Sequence, residues 1–141
     1  MTVKKDFEII EHTADAGVRS YGETLEEAFV NIARGMTSLI VRPETIKENI
    51  CREINISAPD RETLMVEWLN ELIYYFDTEN IVFKKFDIVH LTSSEIKVRC
   101  FGERIDRTIH EVERGIKAAT YYMLKVERNS DGYSAQAFFD I

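Results

Sequence analysis

Residues 60–101, DRETLMVEWLNELIYYFDTENIVFKKFDIVHLTSSEIKVRCF, decide the fold, because the spacing of their apolar residues changes from helical to extended within the stretch. Over Glu62–Phe76, Leu64, Met65, Trp68, Leu69, Leu72, Ile73 and Phe76 recur at helical spacing, and Asp60 stands where an N-cap belongs. This is the richest apolar segment of the chain, and the spacing predicts a helix across the centre of the domain. Ile81–Leu91 and Glu95–Phe101 read as strands, and the polar Thr92-Ser93-Ser94 between them predicts a hairpin.

Toward the N-terminus, Ile46, Ile50, Ile54 and Ile56 share one parity, which predicts a strand over Thr45–Ala58 ended by Pro59. Before it lies a second helix. Thr24 is its N-cap, Glu27 completes a capping box, and Leu25, Ala28, Phe29, Ile32, Ala33, Met36, Leu39 and Ile40 form its buried face. Phe7–Glu11 and Gly17–Tyr21 are short strands. Toward the C-terminus, Gly102–Gly115 reads as a polar loop with one short helical turn, and Ile116–Glu127 as a long strand. The turn Asn129–Gly132 then leads into a last strand, Tyr133–Asp140. The order β-β-α-β-α-β-β-β-β predicts an α+β fold: two helices packed on mostly antiparallel sheet, one sheet or two, in a single domain over 1–141.

The 141 residues carry a net charge of −7, with 25 acids against 18 bases. No basic stripe is present, so tight, direct nucleic-acid binding is not expected. A cation or a protein with a basic surface suits such a chain better. No apolar run is long enough for a membrane span or a signal peptide, and a cytoplasmic protein is expected. Cys51 and Cys100 form no metal-binding motif and read as buried, reduced core thiols; His90 and His110 read as surface residues, and Gly102, Gly115 and Gly132 as isolated turn residues. No nucleophile elbow, phosphate loop or catalytic series is present, so no catalytic residue is assigned.

Three places could carry chemistry. His12-Thr13-Ala14-Asp15 lies between two short strands, where side chains can be aimed out of the fold; an Asx-type turn accounts for the same residues. Asp140 and the α-carboxyl of Ile141 put two carboxylates at the end of a strongly apolar strand. A solvated tail is one reading of them, and an oxygen-ligated Mg²⁺, Mn²⁺ or Ca²⁺ is the other. Lys117 stands at the start of a predicted strand and shares a face with Ala119 and Tyr121; it faces a groove or guards a sheet edge.

Taken in order, Glu11–Val18, Gly22–Phe29, Asp60–Phe83, Lys117–Tyr121 and the closing Asp140-Ile141 resemble the archease family over nearly the whole chain. The resemblance implies a non-catalytic protein cofactor of an RtcB-type tRNA-splicing ligase, one that promotes guanylylation of the ligase and its repeated turnover. It implies a divalent metal ion, Ca²⁺, Mg²⁺ or Mn²⁺, held by Asp15, Asp140 and Ile141, and it gives Lys117 and His12 parts in activation. Tyr122 stands where histidine is expected in many relatives. An independent metal-dependent hydrolase or nuclease, or a chaperone-like module for nucleic-acid enzymes, remain the alternatives.

Overall fold

The computed structural model describes residues 5–11 and 15–141. The elements follow the expected order: β1 (Phe7–Glu11), β2 (Asp15–Gly22), α1 (Leu25–Ile40), β3 (Ile50–Ser57), α2 (Arg61–Glu79), β4 (Ile81–Leu91), β5 (Glu95–Arg104), β6 (Ala118–Asn129) and β7 (Gly132–Asp140), with a 3-10 turn at Pro43–Thr45. The strands form two antiparallel sheets, β1-β2-β7-β6 and β3-β5-β4. The fold is therefore α+β, as expected, and the sheets number two.

The helices form the middle layer. α1 packs on β1, β2 and β7 of the first sheet and on β4 of the second, while α2 packs on β6 and on β3, β4 and β5. A helix with sheet on both sides must be apolar on more than one face. Accordingly α1 buries Ala28, Phe29, Ile32, Ala33, Met36, Leu39 and Ile40, and α2 buries Leu64, Met65, Val66, Trp68, Leu69, Leu72 and Ile73. Trp68 is fully buried, and its indole Nε1–H donates to the Phe29 carbonyl at 3.1 Å, which ties α2 to α1.

The helix starts are built as their sequences require. The Thr24 hydroxyl accepts from Glu27 N at 3.2 Å, and Glu27 Oε2 accepts from Glu23 N at 2.6 Å. The Asp60 carboxylate accepts from Thr63 N at 2.8 Å, and this hydrogen bond holds its pKa below the ordinary carboxylate value. α2 ends at Asn80, whose left-handed φ of 58° turns the chain into β4.

Five expectations need correction. β3 begins only at Ile50, after the 3-10 turn at Pro43–Thr45, and not at Thr45. Cys51 lies on the solvent face of β3 and is exposed; only Cys100 is buried, and burial pushes its thiol pKa up. His110 is buried, not superficial. Its Nδ1 accepts from Asp106 N at 3.0 Å, which leaves Nε2 to donate to Glu103 Oε1 at 2.9 Å. Gly102 is not a turn residue but lies in β5, the central strand of its sheet, paired with both Ile50 and Phe83; a Cβ there would lie 1.9 Å from the Val82 carbonyl oxygen. The strand over Ile116–Glu127 is not regular either: it begins at Ala118, and the pairing of β6 with β7 breaks between Thr120 and Lys125.

Candidate functional site

β2 and β7 run antiparallel in the register Asp15↔Asp140, Ala16↔Phe139, Gly17↔Phe138, Val18↔Ala137 and Arg19↔Gln136. The pattern of apolar residues sets this register. Ala16, Val18 and Ser20, with Ala135, Ala137 and Phe139, are the buried alternate residues that face the helix layer. The other parity, Asp15, Gly17 and Arg19 with Gln136, Phe138 and Asp140, therefore faces away from the helices. Residues near the two ends of the chain thus become direct cross-strand neighbours. Directly opposed side chains share a face with Cβ atoms about 4.5–5.5 Å apart.

A third strand meets them. Ala118 of β6 is the partner of Asp140 on its other side, and the Lys117 backbone N–H donates to the Asp140 carbonyl at 2.8 Å. Asn70 of α2 fixes this strand start, accepting from Ala119 N at 2.8 Å. Asp15, Asp140, Lys117 and Ile141 therefore gather at one end of the first sheet. Asp140, Lys117 and Ile141 are exposed, while Asp15 is half-buried with its Oδ1 shielded from solvent. His12 falls outside the described residues. Among the described residues, no group of three or more His, Cys, Asp and Glu side chains is placed to close around an ion.

Next to the carboxylates, the same face carries a structure that strand periodicity does not announce. Gly17 leaves room for Phe138: a Cβ on Gly17 would lie 2.8 Å from its ring. Tyr122 covers Phe138 from outside, edge to face, with ring centroids 5.4 Å apart. Further along, the buried Gln136 accepts from Arg19 Nε at 3.0 Å and Nη2 at 2.6 Å, and its own amide donates to the Met123 carbonyl at 2.9 Å. Glu8 of β1 extends this network, accepting from the Tyr21 hydroxyl at 2.6 Å and from Arg19 Nη1 at 3.4 Å. The Tyr21 hydrogen bond is the main reason the Glu8 carboxyl titrates below its ordinary value, while burial raises Tyr21.

Comparison with known proteins decides the family. Residues 7–141 match the Archease protein family (MTH1598/TM1083). The chain belongs to the archease family. It is 39% identical to protein archease of Methanosarcina mazei over 97% of both chains, and 36% identical to protein archease of Pyrococcus abyssi over 97% of this chain and 99% of that one. The solution structure of protein 1598 of Methanobacterium thermoautotrophicum superimposes with a TM-score of 0.80 at 30% identity, covering 96% of this chain and 99% of the other. A crystal structure from Thermotoga maritima, described as an archease, possible chaperone, has the same fold, with a TM-score of 0.66 at 24% identity and coverage of 100% and 99%. Among the described residues of this archease-family chain, no helix is long and apolar enough to cross a membrane.

The bulge over Tyr121–Met123 and the buried Gln136 are the site features that sequence reading missed. The one local signal was the run Thr120–Leu124, with aromatic and apolar residues at consecutive positions where a half-buried strand should alternate.

Proposed function

We propose that this chain activates an RtcB-type tRNA-splicing ligase, promoting guanylylation of the ligase and its repeated turnover without catalysing a reaction alone. The observation that carries the reading is the Asp15↔Asp140 register, with Lys117 hydrogen-bonded to the same residue. Like charges placed directly opposite each other destabilise a sheet. An end-of-sheet pair of carboxylates is therefore an arrangement that a cation would relieve.

The donor set fits a hard divalent ion. Asp15, Asp140 and the main-chain oxygen of Ile141 offer oxygen only, the preference of Ca²⁺, Mg²⁺ and Mn²⁺. Such an ion, when bound, supplies Lewis-acid charge for phosphate oxygens. The chain's own residues do the rest. Asp15 and Asp140 set the position of the charge at the end of two paired strands. The exposed Lys117 offers a cation beside them to a nucleotide phosphate on the ligase. The net charge of −7 favours approach to a basic protein surface over coating RNA.

The test measures ligase guanylylation in the presence of wild type, Asp15→Ala, Asp140→Ala and Lys117→Ala. Each variant is expected to lose stimulation while remaining folded. Full stimulation by all three overturns the site. Protection of unrelated aggregating proteins that is indifferent to Asp140 would instead establish a general chaperone.

A further inference from the structure

The pairing of β6 with β7 passes from Thr120↔Phe138 to Lys125↔Gln136, so the four residues Tyr121–Leu124 stand against Ala137 alone. Leu124 turns inward and packs on the core, while Tyr121, Tyr122 and Met123 are left 60%, 52% and 50% exposed. Three large side chains in succession at this exposure are unusual on a strand that otherwise alternates.

The extrusion is held in one shape. Met123 has a left-handed φ of 51°, a conformation that needs surrounding structure to maintain it. Gln136, itself 2% exposed, supplies that structure by donating to the Met123 carbonyl at 2.9 Å, and Arg19 holds the other end of its amide. Tyr122 N donates to Thr120 Oγ1 at 3.3 Å, and the Tyr122 ring rests on Phe138. Bulges near functional sites commonly re-aim side chains in this way. Phe138 precedes Asp140 by two residues, about 7 Å along the strand, so the bulge and the carboxylate pair open onto the same face.

We infer that the Tyr121–Met123 bulge is the docking anchor for the ligase, seated in an apolar pocket with a cationic rim beside the ligase's nucleotide site. This rests on the ligase-activator reading of the carboxylate pair and adds to it the surface that supplies affinity. Charge complementarity selects the occupant. The net charge of −7 and the exposed Asp140 favour a partner with positive charge around its pocket, and the adjacent aromatic and thioether side chains supply the apolar contact that such a charged contact lacks. Rigid tyrosines are frequent hot-spot residues, and a bulge held in place before binding loses little entropy on docking. The carboxylates and the bulge thus divide the work: the first act on the ligase, the second bring the two proteins together.

The experiment measures the affinity of the chain for its RtcB-type ligase by titration calorimetry, and the activator concentration giving half-maximal guanylylation. The variants are Tyr121→Ser/Met123→Ser, which leaves the Tyr122–Phe138 contact in place, and Tyr122→Ala, with circular dichroism to verify folding. For both variants Kd and the half-maximal concentration are expected to rise about tenfold or more. Lost guanylylation is expected to return as more variant is added, whereas for Asp140→Ala it does not return. Wild-type affinity in folded bulge variants overturns the anchor while leaving the activator reading intact. A wild-type chain without affinity for the ligase overturns both. A wild-type chain that dimerises through the bulge in sedimentation assigns the surface to a second copy and overturns the anchor.

Discussion

The two sheets share one helix layer, yet their outer faces are built on opposite principles. In the second sheet the row Glu53–Arg99–Asp87 alternates charge across three strands. Lys97 pairs with Glu53 at 3.5 Å, and the Lys85 ammonium lies 5.2 Å from the centre of the Phe101 ring. Charges of opposite sign stand opposite one another there, as suits a face meant for water. In the first sheet the corresponding row sets Asp15 directly opposite Asp140, with Ala118 on the other side of Asp140. Beside it a strand leaves register to expose tyrosines and a methionine, while a glutamine is buried to hold the strand there. The pairing of β4 with β5 also shifts register, between Phe83 and Lys85 and between Ile88 and His90, but among the described residues only the first sheet combines such a shift with directly opposed carboxylates and three large exposed side chains in succession.

Glycine substitutions break this comparison most sharply. Gly102→Ala places a Cβ 1.9 Å from a backbone oxygen that β4 cannot move without losing its pairing. It should cost about 3 kcal/mol or more of stability by urea denaturation. In Gly17→Ala the atoms nearest the new Cβ belong to the Phe138 ring, the first at 2.8 Å. This substitution should cost less, about 1–3 kcal/mol, and should displace Tyr122 and alter its fluorescence. Equal costs would mean that the Phe138–Tyr122 stack is no more yielding than the backbone of the second sheet.

Acid sharpens the comparison next. Glu8 in the first sheet, and Glu103 where it binds Lys47 N and His110, both titrate below the ordinary value of 4.5, through the Tyr21 and Lys47 hydrogen bonds respectively. A lowered folded pKa stabilises the protein fully above the unfolded value and is lost as pH falls through the folded one. Stability should therefore decline below about pH 4.5, and Glu8→Gln and Glu103→Gln should each reduce that decline in Tm measurements across the acid range.

The smallest effects concern the charge rows themselves. Without divalent cations, Asp140→Asn should stabilise the fold by about 0.2–1 kcal/mol, and Arg99→Gln should destabilise it by a similar amount. Added Mn²⁺ or Ca²⁺ should raise the Tm of the wild type and leave that of Asp140→Asn unmoved. A stabilising Arg99→Gln would remove the contrast between the faces.

Most of the fold could be read from the sequence because its signals are local. The caps at Thr24 and Asp60, the helical spacing through Trp68 and the hairpin turns at Thr92–Ser94 and Ser130-Asp131 each depend on a few consecutive residues. The pairing of Asp15 with Asp140 does not. Periodicity says which face of a strand is apolar but not which strand lies beside it, and here the partner lies at the far end of the chain. Family resemblance named both carboxylates, and the register supplies the reason they meet. The bulge left only the faint trace of consecutive apolar residues over Tyr121–Leu124, because its cause is also distant: Gln136 holds Met123 from another strand. Cys51 and Gly102 were misjudged for the same reason, since neither the exposure of one nor the crowding of the other is encoded in its neighbours.

The central claim is that the like-charge pair at the end of the first sheet exists to act on a ligase. The most direct measurement is guanylylation of the RtcB-type ligase, stimulated by the chain carrying Asp15→Asn and Asp140→Asn together, changes that keep the shape of both side chains and remove their charge. Stimulation should fall to the level of the ligase alone while the variant remains folded and still binds the ligase. Full stimulation by that variant would contradict the account.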